Sequence, residues 1–234
     1  MRLQDLNWKD VESYLKHDNR IILITGATEQ HAYLSLLTDI LIPSRIALAV
    51  AERENVLVAP PLNFGLSGMF GEFPGTISLS QETFDAALGE IVESLLHQGF
   101  SNFFIMNGHG GNKLPAHLHD LHMEGTIRLV WYEWWREPAA TAFASELGME
   151  IDHANWGENF PFTRVGDLPP DLVDAEKPHV NLELSEEGGS LRDVIGDGNF
   201  GGRYQISDDY MTALYLRVVD EAAALLHSMK TPTP

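Results

Sequence analysis

The stretch RIILITGATEQHAYLSLLTD, Arg20 to Asp39, decides the fold. Arg20 to Thr25 is a continuous apolar, largely β-branched run ended by Gly26, the pattern of a strand buried on both faces of a parallel sheet. From Asp39 to Glu52 the apolar residues Ile42, Ile46, Ala49 and Val50 recur at helical spacing. NVLVA, Asn55 to Ala59, is a second short strand, closed by Pro60 and Pro61. Further along, Ser80 caps a helix whose inner face is Phe84, Leu88, Ile91, Val92 and Leu95, and Gly99 ends it. NFFIM, Asn102 to Met106, is a third buried strand, a helix runs from about Asn112 to Met123, and Ile127 to Trp131 is a fourth strand. A short surface helix, Asn7 to Lys16, comes before all of these. A helix from Ala139 to Leu147, an irregular Gly-, Pro- and Asp-rich stretch from Ile151 to Gln205 and a helix from Ser207 to about Met229 come after. The alternation predicts an α/β protein, a three-layer α/β/α arrangement with a mostly parallel central sheet, in a single domain over residues 1–234.

The bulk numbers narrow the function. Fifteen basic against thirty-four acidic side chains give a formal charge of -19, which repels the phosphates of nucleic acid and an anionic membrane surface. The absence of cysteine excludes disulfides, thiolate zinc sites and a cysteine nucleophile together, so any metal must be held by His, Asp and Glu. The charged N-terminus lacks the apolar centre of a signal peptide and no segment has the length of a membrane span, so a cytoplasmic location is expected.

Three segments carry chemistry. Glu29 and His31 stand just past the first strand, where open parallel sheets bind ligands, and their spacing of two sends both side chains to one side of an extended segment. Alone, that pattern is more often a solvated Glu and a loop His. NGHGGN, Asn107 to Asn112, ends the third strand and holds His109 between glycines that let backbone approach a ligand closely. HANWGEN, from His153, places a His, a Trp and Glu158 within six residues of irregular chain. His117, His119 and His122 point to different faces of their helix and are not expected in a site.

Together these segments resemble the creatininase family. Its members carry G-S-T-E-Q-H-G-P-H-L-P-L-G-T-D, F-P-G-T-I-S-L, N-G-H-G-G-N and H-A-G-E segments, which stand here in the same order as GATEQHAYLSLLTD, FPGTISL (Phe73 to Leu79), NGHGGN and HANWGEN. The resemblance implies a metal-dependent hydrolase with two divalent ions. Glu29, Asp39 and His109 would hold one, and His31, the shared Asp39 and Glu158 the other. Donors of imidazole and carboxylate without thiolate suit Zn, Mn or Fe. The chain departs from the family in four places. Ala32-Tyr33-Leu34 replaces G-P-H-L, Phe70 stands where many relatives have a His, and Asn155 and Trp156 are inserted into H-A-G-E. Gly111 occupies the position of a metal-binding Glu in creatininase. These departures argue against creatinine itself as the substrate.

The leading expectation is hydrolysis of a cyclic amide or other carbon–nitrogen bond in a small polar cyclic substrate, uncharged or cationic, with His153 and Glu158 as catalytic residues. Tyr33, Phe70, Asn112, Trp131 and Trp156 are the candidate substrate contacts, with Phe70, Trp131 and Trp156 forming a flat slot. A carbon–carbon hydrolase opening a cyclic diketone such as 3-dehydro-scyllo-inosose is the alternative chemistry, and a non-catalytic metabolite-binding domain the alternative class. The family likeness also implies a homo-oligomer, a hexamer being favoured. The apolar Met211, Leu214, Val218, Leu225 and Leu226 of the last helix are the sequence-level reason for a subunit contact.

Overall fold

The computed structural model describes residues 1–181 and 190–230. Four strands, β1 (Arg20–Thr25), β2 (Leu57–Val58), β3 (Asn102–Asn107) and β4 (Arg128–Glu133), form one all-parallel sheet in the order β2-β1-β3-β4. β2 is shorter than its apolar run predicts. Asn55 adopts a left-handed conformation that closes the preceding helix, and Pro60 and Pro61 have no N–H to continue the ladder.

Strand side chains alternate between two layers. On one face Ile22, Ile24, Phe104, Met106 and Tyr132 pack against α2 (Thr38–Glu54), α5 (Pro138–Glu146) and the last helix, α7 (Asp208–Ser228). On the other, Ile21, Leu23, Phe103, Ile105 and Leu129 pack against α1 (Trp8–Leu15), α3 (Gln81–Gln98) and α4 (Ala116–Met123). The expected three-layer α/β/α architecture is therefore present. Phe104 is fully buried at the centre of the first layer, and its truncation to Ala would cost about 3–5 kcal/mol.

Several local expectations need correction. Ile91 is 37% exposed, because the inner stripe of α3 runs through Phe84, Leu88 and Val92 to the partly buried Leu95 and Leu96. α4 starts at Ala116, since Pro115 holds an extended conformation at its N-cap and Asn112 is engaged elsewhere. Ser207 occupies the N-cap of α7 without a side-chain capping bond. Met211, Leu214, Val218 and Leu226 are buried within the chain's own core, where α7 runs along α2, so they offer no face to a neighbouring subunit. Within its described part, the irregular stretch contains a 3₁₀ turn (Trp156–Glu158), an antiparallel pair of β5 (Glu176–Lys177) with β6 (Gly202–Arg203), and the short α6 (Leu191–Ile195). Lys177 Nζ fastens the last part of it by donating to Ile195 O, Asp197 Oδ1 and Asn199 O, each at 2.6 Å. Among the described residues no helix is long and apolar enough to cross a membrane.

Candidate metal centre

The order of strands reverses around β1 and β3, so the crevice outside their C-terminal ends is the ligand-binding position of this architecture. Thr25 Oγ1 donates to Asn107 Oδ1 at 3.1 Å and ties the two strand ends together. The first turn of α2 lies directly on them. A Cβ at Gly26 would stand 2.7 Å from Ile40 Cδ1 and 2.8 Å from the Asp39 carbonyl carbon; one at Gly108 would stand 2.7 Å from Pro43 Cγ and 2.9 Å from that same carbon. Pro43, inside α2, has no N–H to return to the Asp39 carbonyl, which the two glycines approach instead. The outcome is an acidic side chain, Asp39, only 3% exposed, wedged between both strand ends.

Glu29, His31, Asp39, His109 and Glu158 converge there. His109 Nδ1 lies 3.0 Å from Asp39 Oδ2 and 3.3 Å from Glu29 Oε1, while His31 Nε2 lies 3.0 Å from Asp39 Oδ1 and 3.7 Å from Glu158 Oε2. The outer nitrogen of each ring faces a backbone carbonyl: His109 Nε2–H donates to Leu66 O at 3.1 Å and His31 Nδ1–H to Glu29 O at 3.3 Å. Those bonds select the tautomer that turns a lone pair inward, as carbonyls behind metal-bound histidines do. Glu29 Oε2, His31 Nε2 and Asp39 Oδ2 are buried without a hydrogen-bond partner; the contact of His31 Nε2 with Asp39 is close in distance but not directed as a hydrogen bond. Orphaned donor atoms facing one point are costly unless a cation sits among them. One ligand atom each from Glu29, Asp39 and His109, and likewise from His31, Asp39 and Glu158, lie within 4.8 Å of one another. Glu29, His31 and His153 form a third such group, so the donor set fits divalent metal, with Asp39 common to two of the three groups.

In the absence of cations, protons take up this charge. Burial would lower the pKa of both rings, yet the facing carboxylates overcome it and raise His31 to about 10 and His109 to about 11. Burial pushes Glu158 up to about 7 against the pull of His31. Burial opposes ionisation of Asp39 too, but His31 and His109 hold its carboxyl below the usual carboxylate range.

His153 stands at the edge of the cluster, Nδ1 3.8 Å from Glu29 Oε1. Its ring stacks on Phe70 at 4.5 Å and 16°, and Phe200 lies 4.8 Å away. Nε2 is 3.1 Å from Gln30 O and 2.8 Å from Gln30 Nε2. Burial, and then the charge on His31, push its pKa well below the ordinary value.

The cluster opens into a cavity of about 330 Å³, walled by Phe70, Trp135, Arg136, Ile151 and Phe200. Of the expected substrate contacts only Phe70 lines it. Trp156 is fully buried in the core, its Nε1–H donating to Glu150 O, and Trp131 packs into the opposite sheet face. Tyr33 faces Tyr204 edge-on near the surface. Asn112 is a structural cross-link, accepting from Leu66 N and donating to Gly26 O and Asn107 Oδ1. Trp135 and Arg136, directly beyond β4, occupy the strand-end position that marks site residues in the sequence. Phe200, in a Gly-rich run, carries no such signal. A more open depression of about 530 Å³ beside α5 shares Trp135 and Ile151 with this cavity but contains none of the clustered side chains.

Fold and site together define an α/β protein whose strand-end crevice is built to concentrate carboxylate and imidazole donors. Residues 4–226 match the model of the creatininase (creatinine amidohydrolase) family. The chain belongs to that family, whose members are hydrolases, and it is an enzyme of that kind. It is 29% identical over 194 residues to a creatinine amidohydrolase of Pseudomonas putida, covering 74% of each chain. It is 35% identical over 99 residues to a mycofactocin precursor peptide peptidase of Mycolicibacterium smegmatis, covering 39% of this chain and 40% of that one. Over 113 residues it is 29% identical to a 3-dehydro-scyllo-inosose hydrolase of Thermotoga maritima, covering 46% and 35%. A crystal structure of creatininase superposes with a TM-score of 0.77 at 24% identity, covering 99% and 98% of the two chains, which establishes the shared fold. Solved creatininases of that fold include an Mn form and a Zn–Zn form.

Proposed function

We propose that the chain is a two-metal hydrolase acting on a carbon–nitrogen bond, most simply a cyclic amide, in a small polar cyclic substrate. Glu29, Asp39 and His109 would hold one divalent ion and His31, Asp39 and Glu158 the other, with Zn, Mn or Fe suited to these donors. The observation that carries this reading is the carboxylate of Asp39, whose Oδ1 faces His31 and Oδ2 faces His109, as a bridging ligand requires. When bound, such ions supply a Lewis acid for the carbonyl and acidify water near neutral pH.

The chain's own residues would do the rest. His153 Nδ1 faces the cluster; in the tautomer whose Nε2–H donates to Gln30 O, rather than the one whose Nε2 accepts from Gln30 Nε2 at 2.8 Å, Nδ1 would accept a proton from the attacking water and return it to the leaving nitrogen. Water thus adds hydroxyl to the carbonyl carbon and hydrogen to the nitrogen as the C–N bond breaks. Phe70 and Phe200 would fix the plane of the imidazole and keep bulk water from it.

The relative that is an inosose hydrolase supports a second reading, carbon–carbon ring opening at the same site. A metal-loaded screen of cyclic amides, formamides, short peptides and oxidised inositols, scored by kcat/KM, decides between them. Best turnover of a linear peptide would contradict both. We further propose a cytoplasmic single-domain subunit of a homo-oligomer, a hexamer by likeness to the family, that acts on a small molecule and binds neither nucleic acid nor membrane. The charge of -19 supports the last two exclusions.

A further inference from the structure

One charged side chain on the cavity wall has no part in the cluster. Arg136 is the sole Arg or Lys lining the cavity among the described residues. It stands beside Trp135. The indole of Trp135 comes within 3.9 Å of where a side chain at Gly110 would begin, and the Arg136 guanidinium carbon lies 5.9 Å from that ring. Trp135 therefore neighbours both the loop that presents His109 and the guanidinium. Arg136 Nη1 donates to Glu133 Oε2 at 3.0 Å, and Glu133 Oε1 accepts from Asn107 Nδ2 at 3.1 Å, so the tether runs back to the strand that delivers His109. This single-point contact, on a side chain 64% exposed, engages Nη1 alone of a five-donor guanidinium. Asp152, the other wall residue with a charge outside the cluster, is already engaged: its Oδ1 accepts from His153 N at 2.8 Å, and Oδ2 lies 3.6 Å from His179 Nδ1. On a surface of net charge -19, one tethered cation beside the cavity is the group that would make an anion welcome there.

We propose that Arg136 is a specificity-determining residue that receives a carboxylate of the substrate at the cavity wall beside Trp135. This inference rests on the hydrolase reading above and narrows its substrate class to carboxylate-bearing amides. It departs from the sequence expectation of an uncharged or cationic substrate, since the wall residue beyond β4 is a cation. Hippurate and hippuramide, which differ in carboxylate against carboxamide, are the probes, titrated calorimetrically into metal-loaded wild type, Arg136→Gln and Arg136→Lys. Wild type should prefer hippurate by about tenfold at low salt, the size of one charge-assisted hydrogen bond. Arg136→Gln should erase the preference with metal content and Tm unchanged, and Arg136→Lys should keep part of it. Equal binding of the two probes by wild type, or hippurate affinity unchanged in Arg136→Gln, would overturn the assignment; the second result would mean the carboxylate sits on the metals. Turnover of the amide panel is scored separately. Arg136-dependent preference without any turnover supports the carboxylate site and counts against the hydrolase reading.

Discussion

Replacing Gly108 by Ala should loosen the metal centre without removing a single donor. The new methyl would lie 2.7 Å from Pro43 Cγ and 2.9 Å from the Asp39 carbonyl carbon, both on α2 and neither able to swing aside as a flexible side chain would. Relief must come from moving α2 away from β3, which separates Asp39 from His109, the residue next to the substitution. Overpacking of this kind costs about 1–3 kcal/mol. For a chain of this size that corresponds to a fall in Tm of roughly 2–12 °C. Displaced support of metal ligands typically costs about 10–100-fold in metal affinity. Gly110→Ala is the control two residues away, since its methyl meets only Trp135 Cζ2 at 3.9 Å, an ordinary contact. Thermal unfolding of metal-free proteins and competition titration with a fluorescent chelator measure the two effects. If Gly108→Ala matches Gly110→Ala in both Tm and affinity, the close approach of α2 to the strand ends does not set the position of Asp39.

Other substitutions and conditions separate the roles of individual groups. His153→Ala should retain full metal content and lose at least about a hundredfold in rate, the usual worth of a general acid–base, in stopped assays on whichever amide the screen selects; loss of metal would make His153 a ligand. Chelated, metal-free protein should lose stability as pH rises. The contributions of His31 and His109 are complete below their ordinary 6.5 and vanish through about 10 and 11, and that of Glu158 is complete below 4.5 and vanishes through about 7. Urea unfolding at pH 6, 8 and 10 reads that slope, and a rising or flat trend contradicts it. Metal uptake displaces the same protons, so the stabilisation gained on adding metal should be larger at pH 8 than at pH 6. Light scattering at micromolar concentration should give an oligomer, and a monomer would refute the proposed assembly.

Much of the fold was legible because β1 and β3 are apolar runs buried on both faces, ended by glycines that the helix packing requires. Sequence spacing also placed Glu29, His31 and His109 at strand ends, where topology concentrates ligands. The shape of the cavity was not legible. Trp131 and Trp135 look alike as letters, but the two-residue period of β4 turns Trp131 into the opposite layer, while Trp135 lies beyond the strand where that period no longer applies. Trp156 lies beside Glu158 in sequence, yet the 3₁₀ turn sends its indole into the core. Phe200 reaches His153 only through long-range folding of an irregular segment, which local pattern cannot encode. The apolar face of α7 reads like a subunit contact until its partner within the chain, α2, is known.

Elemental analysis of purified, metal-reconstituted protein tests the shared-carboxylate centre most directly. About two equivalents of a divalent transition metal per chain are expected in wild type and close to none in Asp39→Ala, because each oxygen of that one carboxylate faces a different half of the cluster. Wild type that binds no metal after reconstitution, or Asp39→Ala that remains fully loaded, would contradict it.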